Sequence, residues 1–234
     1  MIEKTALITG ASNGMGKAIS LSLAGEGYNL IICARNEKNL LNFQKEILEI
    51  YPQISVIAIP ADLSKKVETL ALAERVLEEW GGIEVLINNV GQYETGTLVG
   101  GEDELMEQMM NINFYSAYYL SKLLGKGMAE RRKGHIINIV SIAGKEPVLG
   151  AGSYSISKFA LQGLCKNLRL ELKPFNVCVT AILPGSTLTG SWEGQKVDPN
   201  TLISPQDIAL MVLSSLRLSP GANLEEIEIR PIHP

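Results

Sequence analysis

Short, nearly unbroken apolar runs alternate along the chain with longer stretches in which apolar side chains recur every three or four positions. The runs fall at 6–9, 30–34, 55–60, 85–88, 136–140, 177–183 and 226–229. Most are continuously apolar rather than alternating, as expected of parallel strands covered on both faces. The intervening stretches predict helices. The first carries Met15, Ile19 and Leu23 at four-residue steps and stops at Gly25 and Gly27. Others are predicted over 37–50, 65–79, 103–125, 154–172 and 205–217. Pro174 ends the fifth of these, because proline disfavours helical geometry just before it. The last opens Ser204-Pro205-Gln206-Asp207, an N-cap with proline at the first helical position. Strands separated by helices predict right-handed βαβ units, and no repeat or linker divides the chain. The expectation is an α/β fold, a single domain over 1–234 built as a Rossmann-type doubly wound parallel sheet of seven strands with helices on both faces. Ligands of such sheets lie beyond the carboxyl ends of the strands.

Composition narrows the setting. The 234 residues are 46% hydrophobic and 20% charged, enough apolar mass for a large core. A net charge of −4, from 21 basic and 25 acidic side chains, argues against a nucleic-acid binder. No apolar run approaches the roughly 18 residues of a membrane span. The opening Met1-Ile2-Glu3-Lys4-Thr5 lacks the charged-then-apolar build of a secretory signal, so a cytoplasmic location is expected. Cys33, Cys165 and Cys178, odd in number and set among apolar neighbours, read as reduced thiols. The only histidines are His135 and His233, which excludes a His-rich metal site and leaves a Ser-His-Asp hydrolase almost nothing to use.

The end of the first strand reads Thr9-Gly10-Ala11-Ser12-Asn13-Gly14-Met15-Gly16, a glycine-rich turn running into a helix. Glycines permit positive φ and close backbone approach, and the free N–H groups of the new helix attract a pyrophosphate. Eighteen residues beyond Gly16, where an NAD site would place a carboxylate against the ribose 2′-hydroxyl, stands Ala34, followed by Arg35. A guanidinium in place of a carboxylate suits a 2′-phosphate, so NADP(H) is favoured over NAD(H). At the third strand end, in Pro60-Ala61-Asp62-Leu63, Asp62 would accept from an adenine amine or cap the helix beginning near Ser64.

The sharpest chemical signal is Ser153-Tyr154-Ser155-Ile156-Ser157-Lys158. On a helix, positions i and i+4 share a face, so the phenol and the ammonium point into the same space. Tyr154 follows by thirteen residues Ser141, which ends the run Ile136-Ile137-Asn138-Ile139-Val140 at another strand edge. A third polar group, Asn113, interrupts the apolar stretch Asn111-Ile112-Asn113-Phe114-Tyr115, where an amide bonded to backbone is the alternative reading.

Taken together, these elements resemble the short-chain dehydrogenase/reductase family, in its compact branch. The matching set is the Thr9–Gly16 turn, Asp62, Asn88-Asn89-Val90-Gly91, Asn113, Ser141, Tyr154 with Lys158, and Pro184-Gly185 with Thr189, in the family's order and spacing. Val90 departs from the family's usual alanine, and the segment between Thr189 and Ser204 is shorter than the substrate-covering loop of many relatives. The resemblance implies hydride transfer between nicotinamide and a carbonyl or secondary alcohol, with Tyr154 exchanging the proton. Ser141 would orient the carbonyl oxygen, Asn113 would position a relay water, and Lys158 would also hold the nicotinamide ribose. Pro184, Gly185, Thr187 and Thr189 would wrap the carboxamide and phosphate, and Asn89 and Gly91 would line the adenosine side.

Working near pH 7, a phenol must drop about three units from ~10, or ~4 kcal/mol. An ammonium ~4.5 Å away at an effective dielectric of ~20 supplies about 3.7 kcal/mol. Lys158 is therefore expected to acidify Tyr154. Because NADP(H) is usually held reduced in cells, the expected direction is reduction, of a 3-oxoacyl or small keto compound. The substrate pocket is expected along Tyr93, Glu94, Ala143, Gly144, Pro147, Val148 and the 186–200 stretch with Trp192, part of a short substrate-covering segment near 186–204. A non-catalytic NADP(H)-sensing or scaffold protein on the same fold is the alternative. By the same resemblance the chain is expected to form a homo-oligomer, dimer or tetramer, through the helices near 103–125 and 154–172. No metal, nucleic-acid or membrane partner is expected.

Overall fold

All seven predicted strands form within two residues of their expected bounds and join one parallel sheet in a computed structural model that describes residues 4–232 apart from 193 and 195. The chain start 1–3 and His233 lie outside the described residues. The strands are β1 (Thr5–Thr9), β2 (Asn29–Ala34), β3 (Val56–Pro60), β4 (Val85–Asn88), β5 (Gly134–Ile139), β6 (Val177–Pro184) and β7 (Glu226–Ile229). Their order across the sheet is β3-β2-β1-β4-β5-β6-β7, and every neighbouring pair is parallel. The order reverses between β1 and β4, opening the crevice in which doubly wound sheets bind ligands.

The continuous apolar runs have a simple cause. Successive side chains alternate faces, and both faces are covered. Ala6 and Ile8 of β1 enter one core with Leu30 and Ile32 of β2, while Leu7, Ile31 and Cys33 enter the other. The first core is closed by α1 (Gly14–Gly25), α2 (Glu37–Ile50) and α7 (Pro205–Leu216), through residues such as Leu23, Phe43 and Val212. The second is closed by α3 (Lys66–Trp80), α5 (Ser116–Arg131) and α6 (Gly152–Leu172), through Leu72, Leu120 and Leu161. The N-cap expected for α7 is present as a reciprocal capping box between Ser204 and Asp207.

The single helix expected over 103–125 is two. An α-helix, α4 (Asp103–Met110), passes into a π-turn at Asn111–Tyr115 and then into α5, which runs on to Arg131. The extra residue in that turn shifts the phase of the helix, and Asn113 is inside it. Such bulges are frequent at functional sites. The apolar periodicity continues through the bulge, so nothing in the hydrophobic pattern marks it.

His135 is buried in β5, its Nε2 2.7 Å from Thr180 Oγ1. Thr180 donates its own proton to the Leu224 carbonyl, so its oxygen accepts from the imidazole. Burial holds the His135 pKa down, at about 4, and the ring is a neutral core group remote from the strand ends. All three cysteines are free, Cys33 and Cys165 fully buried. Among the described residues no helix is long and apolar enough to cross a membrane.

Candidate active site

At the carboxyl end of β1 the backbone turns through two left-handed glycines, Gly10 (φ +64°) and Gly14 (φ +49°). Gly16 is fixed by contact instead. A Cβ there would sit 2.1 Å from the Gly10 carbonyl oxygen and 2.6 Å from Asn89 Nδ2. Asn89 clips this turn to the end of β4. Its side chain donates to the carbonyls of Thr9 (2.9 Å) and Gly10 (3.2 Å), while the Asn89 and Val90 amides both donate to Thr9 Oγ1 at 3.0 Å. Asn13 caps α1 in extended geometry without a side-chain cap bond, and the first turn of α1 holds no acidic residue. The leading N–H groups of α1 thus meet neither a capping side chain nor a repelling charge, the condition for a helix terminus to receive an anion. Ser12 is half-buried in the same turn and Met15 lines the cavity beside it.

Arg35 is exposed just past β2, close enough to Asp62 for its charge to act there. Burial pushes the Asp62 carboxyl up, but two hydrogen bonds from Ser64 and the charges of Lys65 and Arg35 outweigh it and leave the pKa below its ordinary value. Asp62 is not the cap of α3. Its Oδ1 accepts from Ser64 N (3.1 Å) and Oγ (2.7 Å) in an Asx turn, and the capping position belongs to Lys65. The Leu63 side chain is buried in the second core, so only its backbone is left for a ligand.

The strand ends of β4, β5 and β6 enclose a cavity of about 500 Å³. Its wall includes Met15, Asn89, Gly91, Ser141, Tyr154, Lys158, Pro184, Gly185, Thr187 and Thr189 from the expected set. Tyr154 and Lys158 stand one turn apart on α6, and the Lys158 ammonium is 5.8 Å from the Tyr154 ring centroid. Ser141 and Tyr154 share a side-chain hydrogen bond, and Ser141 Oγ accepts from Ala143 N at 3.1 Å. Tyr93 packs edge-on against Tyr154 at 4.9 Å between centroids. Asn113 does not line the cavity. Its Oδ1 accepts from Gln92 N (2.8 Å) and its Nδ2 donates to Gln92 O (3.0 Å) and Ser157 Oγ (2.9 Å). Both Asn113 and Lys158 border Gly91, where a Cβ would lie 3.1 Å from Asn113 Oδ1 and 3.3 Å from Lys158 Nζ.

The electrostatics differ from expectation. The Tyr154 pKa is raised, because burial outweighs the Ser141 hydrogen bond. Lys158 is 5% exposed, and burial lowers its pKa to about 8. Its Nζ donates to the Ile139 carbonyl at 3.2 Å rather than to the phenol. The protein alone therefore keeps the phenol protonated. Desolvation is the largest influence on both groups, and it is not contained in the charge attraction expected from their spacing.

The end of β6 supplies the opposite wall. Thr187 pairs with Ile203, and its carbonyl accepts from Trp192 Nε1 at 2.9 Å. A Cβ at Gly14 would lie 3.2 Å from Thr189 Cγ2, which puts the 186–204 segment over the glycine turn. Residues 193 and 195 of that segment lie outside the described residues. Of the expected pocket wall, Tyr93, Val148 and Trp192 line the cavity. Ala143 and Gly144 do not, since Ala143 is buried and Gly144 packs on Val140 and α6. Glu94 and Pro147 also stand outside the lining. Ser186, in the expected segment, also lines the cavity, and Gln92, Thr95, Ile139, Val140 and Ile142 are the lining residues that sequence reasoning missed. Gln92 is marked only by its backbone pairing with Asn113, twenty-one positions away, which no local pattern reveals.

The family model for short chain dehydrogenase matches residues 4–199. A Staphylococcus aureus (strain MRSA252) protein named as an uncharacterized oxidoreductase is 32% identical over 232 residues, covering 99% of both chains. Among solved structures, an alcohol dehydrogenase from the archaeon Thermococcus sibiricus, complexed with 5-hydroxy-NADP, superposes with a TM-score of 0.91 at 25% identity over 99% of this chain and 97% of that one. A metagenomic short-chain oxidoreductase in complex with NADP gives 0.85 at 29% identity, covering 99% and 98%. A match spanning the glycine turn, Ser141, Tyr154 and Lys158, on a sheet of the same topology, makes this chain an oxidoreductase of the short chain dehydrogenase family.

Proposed function

We propose that the protein reduces a 3-oxoacyl or small keto compound to the alcohol, with NADP(H) preferred over NAD(H). The observation that carries this reading is Tyr154, hydrogen-bonded to Ser141 in the cavity wall with Lys158 one helical turn away. The glycine turn fits a dinucleotide pyrophosphate, since Gly16 leaves no room for a side chain and α1 begins without an acidic group. Solved relatives carrying NADP or 5-hydroxy-NADP support the same cofactor class.

The bound nicotinamide supplies a hydride to the carbonyl carbon. The chain's own residues do the rest. Tyr154 gives its phenolic proton to the carbonyl oxygen as the C=O bond becomes C–O–H, and Ser141 Oγ donates a hydrogen bond to the same oxygen. A phenol held protonated by burial suits the donor needed for reduction. Lys158 supplies positive charge beside the phenolate that remains, until solvent returns the proton. Asn113 acts as a positioning residue that fixes Gln92 and Gly91 against Lys158. Arg35, exposed beside the Asp62 carboxylate, is the group available for a 2′-phosphate.

The test is cofactor consumption across a panel of ketones, aldehydes and 3-oxoacyl esters, run with NADPH and with NADH. Arg35→Asp is expected to lower kcat/KM for NADPH at least about tenfold, the worth of a charge-assisted hydrogen bond, while leaving NADH use equal or higher. Comparable use of NADH by the unmodified protein would remove the role given to Arg35. Self-association belongs to the same proposal, through the groove between α5 and α6 that Tyr118, Leu164 and Leu168 line. A monomeric mass by light scattering would refute that part.

A further inference from the structure

From Gln92 to Ser121 the chain carries five carboxylates, Glu94, Glu102, Asp103, Glu104 and Glu107, and no basic residue. This segment borders the cavity. Gln92, Tyr93 and Thr95 line it, and Glu94 between them is exposed with its Oε1 accepting from Gln92 Nε2 at 2.9 Å. Gln108, in the last turn of α4, donates to Gln92 Oε1 at 3.3 Å, which ties to the cavity edge a helix whose first turn carries Asp103 and Glu104.

Gly96 and the 150–152 backbone are tied by two hydrogen bonds, Gly96 N to Gly150 O (2.7 Å) and Gly152 N to Gly96 O (3.2 Å). Leu98, which lies against Gly152, and Leu149, next to Gly150 in the chain, are apolar and exposed. Lys145 and Arg230, the nearest cations on the β5–β7 side, are held in ion pairs with Glu226, Glu228 and Glu146. Lys196, exposed in the covering segment, is followed two positions later by Asp198. Inside the cavity the single charged lining residue is Lys158, whose ammonium is turned to the Ile139 carbonyl and Gly91.

Resting on the reductase reading above, we infer that the substrate is an uncharged carbonyl compound and that the acidic rim around Glu94 excludes carboxylates. An anionic substrate would approach Glu94, and a like charge at about 9 Å in water is worth roughly a twofold loss, more at closer range. It would then surrender its hydration in a pocket whose one charged lining residue, Lys158, is turned to the Ile139 carbonyl and Gly91. A neutral ketone or ester meets neither cost.

A matched pair of probes decides the matter: 4-oxopentanoate and its ethyl ester, with NADPH, at low ionic strength. The ester is expected to show a kcat/KM at least about tenfold above the acid, with most of the difference in KM. Added salt should narrow the gap by screening the rim. Glu94→Lys should raise the acid-to-ester ratio at least about threefold, since it replaces repulsion by attraction. Binding, independent of turnover, is read from Trp192 fluorescence in a Trp80→Phe background, where the ester should bind more tightly than the acid. Equal or better use of the acid, or a ratio unmoved by both salt and Glu94→Lys, would overturn the inference while leaving the reductase reading standing. No turnover with any carbonyl would overturn that reading and this one with it.

Discussion

A Tyr154→Phe variant is expected to lose a hundredfold to ten-thousandfold of kcat, roughly the contribution of a positioned general acid. The change deletes one hydroxyl and little else. The ring keeps its edge contact with Tyr93, and Ser141, which loses the phenolic oxygen as a partner, still accepts from Ala143 N. Folding and NADPH affinity should therefore hold, the latter within about threefold, because on the proposed reading the backbone of the glycine turn and Lys158 would hold the dinucleotide. Single-turnover hydride transfer should slow in step with kcat, separating chemistry from product release. A variant with unchanged kcat would end the catalytic assignment of Tyr154.

Gly16→Ala is expected to damage binding rather than chemistry, and severely. The added methyl would lie 2.1 Å from a carbonyl oxygen of Gly10, a backbone atom that cannot swing aside as a side chain does. Either α1 moves away from the turn or the turn unclips from Asn89, and both pull the first N–H groups of α1 off the phosphate position. Overpacking of this kind costs roughly 1–3 kcal/mol, so thermal unfolding should fall by roughly 3–10 °C for a chain of this length. NADPH affinity, followed by fluorescence titration on the folded variant, should drop at least about a hundredfold. Wild-type affinity in Gly16→Ala would show that the pyrophosphate lies elsewhere.

Much of this site was legible because its parts are local. The glycine turn is a continuous stretch, and Tyr154 and Lys158 share a helix face by simple periodicity. Ser141 stands at the end of a strand whose apolar run announces it. The residues that escaped are those whose meaning lies in a contact across the fold. Gln92 matters through Asn113, and Asn113 reaches it only because a π-turn interrupts a helix whose hydrophobic pattern reads straight through. Ala143 and Gly144 follow Ser141 closely enough to suggest a pocket wall, yet the tight 3₁₀ turn after Ser141 tucks them against the core and α6.

The amino-acid order alone determined the seven strands, the doubly wound sheet, the phosphate turn and the pairing of tyrosine with lysine. Each follows from side-chain alternation, helical repeat or backbone freedom, which act over a few neighbouring residues. Only the tertiary structure decided the charge states in the cavity and which neighbours form its walls. Burial beneath the strand ends raises the Tyr154 pKa and lowers that of Lys158. Desolvation depends on everything packed around a group, and no spacing along the chain records it.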